Sequence, residues 1–233
     1  MPYAICRECG RNISYSVGDK PFCPCKSRDF IDLQNLFEIQ IRDLIELTQR
    51  SPKSAIVRTI ETACHYVTIY QAPKELFWMY DHIDRIKPDV IVEIGCFNGG
   101  TLEIWDRFTR LCGHSPRKII GLDIVTDRIQ VREEMRPITT LIQADSMSDE
   151  AKTKLASALA GDEIDFAFID GQHVYKYVLN DFNMIWPHVC KGGAVAFHDI
   201  SWSGDHCGKF WKELQGEKYE TKEAYGIGII YKE

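Results

Sequence analysis

The chain has 233 residues, of which 45% are hydrophobic, 11% aromatic and 27% charged, with a formal net charge of −6. The aromatic share excludes an intrinsically disordered chain, and 16 glycines with 9 prolines exclude a collagen-like or linker array. The acidic balance argues against unselective nucleic-acid binding, which needs a basic surface to displace counterions. No run approaches the roughly 18 apolar residues of a membrane span. The opening MPYAICRECG has cysteines and charges where a signal peptide has an apolar core, so a cytoplasmic protein is expected.

Four of the nine cysteines, Cys6, Cys9, Cys23 and Cys25, fall in the first 25 residues. An odd count without a signal peptide argues against a secreted disulfide framework, and a clustered quartet suits a structural zinc site with four thiolate ligands. Between the pairs, RNISYSVGDKPF predicts a short hairpin, with Ile13, Tyr15 and Val17 alternating and Gly18-Asp19 turning. Residues 1–30 therefore resemble a zinc ribbon, with a second knuckle, Cys23-Pro24-Cys25, one residue shorter than usual.

From Asp32, Leu33, Leu36, Phe37, Ile41, Leu44, Ile45 and Thr48 follow helical spacing up to the break at Ser51-Pro52. Ala55, Ile56, Ile60 and Ala63 suggest a second helix. Residues 31–70 thus read as a helical joining region that packs on the main domain or on another subunit, which leaves a homo-oligomer open. The main domain, 71–233, opens with Pro73 at a helix first turn and an apolar face of Leu76, Phe77, Tyr80, Ile83 and Ile86.

After Pro88, short apolar runs alternate with helical stretches. The runs are DVIVEIG (89–95), KIIGLD (118–123), TTLIQAD (139–145), IDFAFID (164–170) and GAVAFHD (193–199). Helices are predicted near 99–112, 126–135, 149–160 and 174–189. This pattern predicts an α/β doubly wound, mostly parallel sheet. The tail KYETKEAYGIGIIYKE predicts two more strands, closing an edge as a hairpin.

Ligands of such sheets sit at the carboxyl ends of the strands, and all five ends here are acidic. The first reads Glu93-Ile-Gly95-Cys-Phe-Asn-Gly99, and the others end in Asp123, Asp145, Asp170 and His198-Asp199. The E-x-G-x-x-x-G turn lets a ligand approach the backbone, and its acid suits an ammonium group. Asp123 is placed for both hydroxyls of a ribose and Asp145 for the amine of adenine. Ammonium, ribose and adenine together describe S-adenosylmethionine (SAM). Two other readings stay open: a nicotinamide-dependent oxidoreductase on the same sheet, which the loop disfavours, and a non-enzymatic zinc-ribbon adaptor with a degenerate domain.

The segments YQAPKELFWMYDHIDRIKPDVIVEIGCFNGGT, FAFIDGQHVYKYVLNDF, WPHVCKGGAVAFHD and YGIGIIYK resemble class I SAM-dependent methyltransferases. More narrowly, they resemble the cephalosporin hydroxylase family, which contains small-molecule O-methyltransferases. The resemblance implies a Rossmann-like methyltransferase fold and a hydroxylated small-molecule acceptor such as a sugar or antibiotic. It also implies Mg²⁺ or another divalent cation held by Asp170 and Asp199. Here His198 stands where that family often has an acid, and it is a candidate third ligand. His173, in Asp-Gly-Gln-His, matches a family histidine near the acceptor and is the candidate general base, with Asp170 beside it. Trp202 and His206 are weaker candidates for lining the acceptor site.

Overall fold

The computed structural model describes residues 36–233 except 49, 50, 52 and 203, and nearer the N-terminus the backbone of three strands and one helix. Those strands, β1 (Tyr3–Cys6), β2 (Asn12–Ser14) and β3 (Phe30–Asp32), form an antiparallel sheet of order β2-β1-β3. Ile13 is in a strand as expected, and it pairs with Ala4 of β1. Cys9, Cys23, Cys25 and the Cys6 side chain lie outside the described residues, as does the Gly18-Asp19 turn.

Helices α1 (Leu33–Thr48) and α2 (Ser54–Tyr66) follow, close to their expected places. Ile41, Leu44, Ile56, Val57, Ile60 and Ala63 are buried in one cluster with Leu102, Trp105 and Phe108 of the helix after the first core strand. The joining helices therefore pack on the helical layer of the main domain. Next come α3 (Pro73–Ile86), β4 (Val90–Ile94), α4 (Gly100–Leu111), β5 (Lys118–Asp123) and β6 (Thr139–Gln143). The chain continues through α5 (Asp149–Leu159), β7 (Ile164–Ile169), α6 (Tyr175–Ile185) and β8 (Val189–His198). It ends with α7 (Cys207–Glu213), β9 (Lys218–Thr221) and β10 (Ile227–Tyr231).

Seven strands make one sheet of order β6-β5-β4-β7-β8-β10-β9. The first five are parallel, and β10 and β9 add the expected antiparallel hairpin. Successive side chains on a strand point to opposite faces, so each apolar run serves two cores. Ile91, Ile119, Phe166 and Phe168 face α1–α4, while Val90, Val92, Ile120, Ala167 and Phe197 face α5–α7. Strand order reverses between β4 and β7. A crevice opens at their carboxyl ends, which is where doubly wound sheets bind ligands. Among the described residues no helix is long and apolar enough to cross a membrane.

The helix expected near 126–135 does not form; the segment runs in turns to a short 3₁₀ stretch, Arg136–Ile138. Arg132 explains why. Its guanidinium lies 2.7 Å from the Glu103 carboxylate and 2.5 Å from Asp106, both buried on α4. Desolvated acids need a partner, and supplying it draws the segment across α4 instead of letting it coil. The Gln130 N–H also donates to the Asn98 carbonyl at 2.9 Å, tying the segment to the β4–α4 turn.

Candidate active site

Asp170 follows β7 directly and Asp199 follows β8 directly, so the parallel pairing of these neighbouring strands brings the two carboxylates to one rim. Asp199 is 4% exposed and holds a left-handed backbone, φ 61°. That conformation is costly for a residue with a Cβ and marks a position over-determined by its surroundings. The imidazole Nδ1 of His173 stands 2.8 Å from Asp199 Oδ2. One ligand atom each of Asp170, His173 and Asp199 lie within 4.8 Å of one another, and the two carboxylates offer the hard oxygen donors that fit a divalent cation such as Mg²⁺. His198 is not in that group. It is 6% exposed, with Nδ1 3.3 Å from both Asp170 and Asp199 and Nε2 3.3 Å from Glu75, behind the acids.

Burial favours neutral imidazole on His198, but the charges of Asp199, Asp170 and Glu75 outweigh it and hold its pKa well above the ordinary value. On His173 burial also opposes the charge, and the hydrogen bond and charge of Asp199 reverse it, leaving the pKa raised. For Asp199 burial opposes ionisation, yet His198 and His173 keep the carboxyl below its usual range.

Two cavities meet at this rim. One, of about 280 Å³, is lined by Gln71, Asn98, Asp170, His173, Asp199 and Trp202 among others, with Tyr70, Phe97 and Tyr225 as aromatic walls. The other, of about 470 Å³, is lined by Asp123, Ile124, Arg128, Asp145, Ser146 and Tyr177 among others. Gly95, Phe97, Asp170 and His173 border both. Trp202 meets the His173 ring edge-on at 4.9 Å, whereas His206 lines neither cavity.

Asp123 lies at the floor of the larger cavity, where Oδ2 accepts the Phe97 N–H and Oδ1 the Val125 N–H, both at 2.9 Å. Asp145 borders the same cavity, and its Oδ1 accepts the Met147 N–H at 2.9 Å. Phe97, on the rim between the cavities, also has a left-handed backbone, φ 49°. Its ring meets Tyr70 edge-on at 5.1 Å, and the Arg128 guanidinium covers it at 4.3 Å.

Two expected cofactor contacts lie off both cavities. Glu93 borders neither cavity: it shares the face of Ile91 and points toward α4, is fully buried, and accepts Thr101 Oγ1–H at 2.5 Å and Trp105 Nε1–H at 2.8 Å. Burial raises its carboxyl pKa to about 8, with those hydrogen bonds pulling the other way. Gly99 also lies off both cavities, and what approaches it is protein, since a Cβ there would sit 2.7 Å from the Gln130 carbonyl. Gly95 (φ 87°) does border the site, and its missing side chain admits the Asp170 carbonyl. The glycines let chain segments close on one another. The sequence reading missed Gln71, Glu75, Tyr70 and Phe97. The Glu at the third position of α3, behind Pro73, was the one local signal.

Residues 92–200 match the sequence profile of a family described as a methyltransferase domain. An uncharacterised protein of Acanthamoeba polyphaga mimivirus is 31% identical over 146 residues, 59% of this chain and 66% of that protein. Demethylmacrocin O-methyltransferase of Streptomyces fradiae is 28% identical over 177 residues, 69% of this chain and 40% of the enzyme. The chain thus spans just under two thirds of the first relative and two fifths of the second. Among solved structures, the MycE methyltransferase of the mycinamycin biosynthetic pathway, in complex with Mg, SAH and mycinamycin VI, superposes with a TM-score of 0.53 at 17% identity. The match covers 75% of this chain and 54% of that one. The fold is that of the Rossmann-like methyltransferases.

Proposed function

We propose that the protein is a SAM-dependent methyltransferase that methylates a hydroxyl group of a small metabolite, such as a sugar or an antibiotic. One observation carries the reading: two cavities meet at the carboxyl ends of β4, β7 and β8 and share the wall of Gly95, Phe97, Asp170 and His173. Transfer between two molecules needs donor and acceptor held a few ångströms apart and in line, and adjoining cavities with a common wall provide that. The methyltransferase-domain match over 92–200 and the O-methyltransferase relatives support the same reading.

SAM supplies the methyl group as an electrophile. The larger cavity would hold its adenosine, with Asp123 toward the ribose and Asp145 toward the adenine. Backbone N–H groups fix both carboxylates, so neither has to reorganise when the ligand arrives. The smaller cavity would hold the acceptor against Trp202 and Tyr225. His173 is the proposed proton acceptor. Its Nδ1–H donates to Asp199, which leaves Nε2 with the lone pair that takes the hydroxyl proton. A divalent cation held by Asp170 and Asp199 would polarise the acceptor oxygen. Cys6, Cys9, Cys23 and Cys25 are proposed to hold a separate, structural zinc ion.

The test is to incubate the protein with methyl-labelled SAM and a panel of hydroxylated glycosides and macrolides, with and without a chelator. The reading expects SAH release, label on an acceptor oxygen, and loss of transfer on chelation. Label on nitrogen or carbon contradicts the O-assignment, and full turnover after exhaustive chelation removes the cation.

A further inference from the structure

Two side chains just ahead of and within the first turn of α3 reach the acid centre, Gln71 from the wall of the smaller cavity and Glu75 from the far side of the His198 ring, and neither falls in the 92–200 stretch that matches the methyltransferase domain. Gln71 is 5% exposed and its Nε2–H donates to Asp170 Oδ2 at 2.5 Å. Glu75 is fully buried. Its Oε1 accepts the N–H groups of Tyr225 and Gly226 at 2.9 and 2.8 Å, and its Oε2 accepts the Ala72 N–H at 2.8 Å. Three backbone donors leave that carboxylate no freedom to turn, and they place Oε2 3.3 Å from His198 Nε2. Across the ring, His198 Nδ1 faces Asp170 Oδ1 and Asp199 Oδ2 at 3.3 Å each. Both oxygens of Asp170 are therefore held, one by Gln71 and one by His198, and Glu75 sets the ring that holds Asp199 as well.

We infer that Gln71 and Glu75 are positioning residues of the acid centre: they fix the orientations of Asp170 and Asp199 in the arrangement that receives the cation and the acceptor hydroxyl. The inference rests on the methyltransferase reading above. An aspartate side chain has two free torsions, and a misplacement near 1 Å at a reacting centre costs about a hundredfold in rate. Partners that orient ligating carboxylates are typically worth roughly 10–100-fold in metal affinity or activity. The segment 71–75 supplies two such partners from one rigid helix start, so the acids are oriented by an element outside the sheet that carries them.

The variant Gln71→Met keeps the volume and removes only the donor; Glu75→Gln keeps the acceptor for Tyr225 and Gly226 and sets an amide against Ala72 and His198. MnCl2 and SAM are each titrated into the 233-residue protein by calorimetry, and methyl transfer is measured as kcat and KM for SAM. Gln71→Met is expected to lose roughly 10–100-fold in Mn²⁺ affinity and in kcat, with SAM affinity, KM for SAM and melting temperature unchanged. Glu75→Gln should lose at least as much Mn²⁺ affinity; should it fail to fold, Gln71→Met decides alone. Wild-type Mn²⁺ affinity in Gln71→Met overturns the inference, and so does an equal loss of SAM affinity, which would mark a general structural role. Wild-type protein that binds SAM but no Mn²⁺ overturns the cation and this inference together. Wild-type protein that binds neither overturns the methyltransferase reading itself.

Discussion

His173 Nδ1 and Asp199 Oδ2 lie 2.8 Å apart, joining the loop after β7 to the residue that ends β8. A carboxylate that accepts Nδ1–H fixes both the ring and its tautomer, and Nε2 is left to accept a proton. His173→Ala should lower turnover by about 10²–10⁴, the usual worth of a positioned base, while SAM affinity stays at the wild-type value. Steady-state kinetics with SAM calorimetry checks this. Wild-type turnover in the variant would reduce His173 to a loop residue.

Glu93 gives a pH dependence of stability. Its carboxyl has an ordinary pKa of 4.5, and burial moves it to about 8 in the folded chain. Between those values the fold holds a proton that the unfolded chain releases. The stability from this group is complete below pH 4.5 and is lost as pH rises to 8. Glu93→Gln mimics the neutral acid: its oxygen can accept Trp105 Nε1–H and its amide can donate to Thr101. Its stability relative to wild type should therefore increase from pH 5 to pH 8 by an amount on the order of several kcal/mol. Denaturant unfolding of both proteins across that range measures it. A difference that is flat with pH contradicts a protonated Glu93. Unchanged SAM affinity in the variant would agree with its place beneath the loop.

Arg132 should matter to both stability and the cofactor cavity. Glu103 and Asp106 keep Arg107 and Arg110 as other partners, so Arg132→Met leaves them only partly uncompensated. A loss of about 1–3 kcal/mol is expected, since buried charged acceptors lose a donor. The same segment carries Ile124 and Arg128 into the larger cavity, so SAM affinity should fall with it. Thermal unfolding and calorimetry report the two effects. Unchanged stability would contradict the pull of Glu103 and Asp106 on Arg132 as the cause of the missing helix.

What was legible in the sequence follows the range of the interactions. The core strands were visible because parallel strands buried on both faces are continuous β-branched runs, and their acidic ends located the crevice. The 124–138 segment was misread because its fate depends on two acids on α4, a contact that local periodicity does not encode. Gln71 and Glu75 were not singled out, since their partners Asp170, His198 and Tyr225 lie 99, 123 and 150 residues away. Glu93 was read as facing a ligand because it ends a strand, yet the strand's alternation turns it toward Trp105.

The cysteine quartet yields a separate prediction. Purified protein should carry about one zinc per chain, and changing Cys6 and Cys9 to Ser should release it while the main domain stays folded. Elemental analysis that finds no zinc in protein prepared without chelator counts against the site.

The central claim, that the larger cavity is a SAM site built on Asp123, is tested most directly by calorimetric titration of SAM and SAH into wild type and Asp123→Ala. Wild type is expected to bind both, and the variant to lose about 1–3 kcal/mol for each, because the ribose hydroxyls lose their buried acceptor. No binding to wild type, or equal binding by the variant, contradicts it.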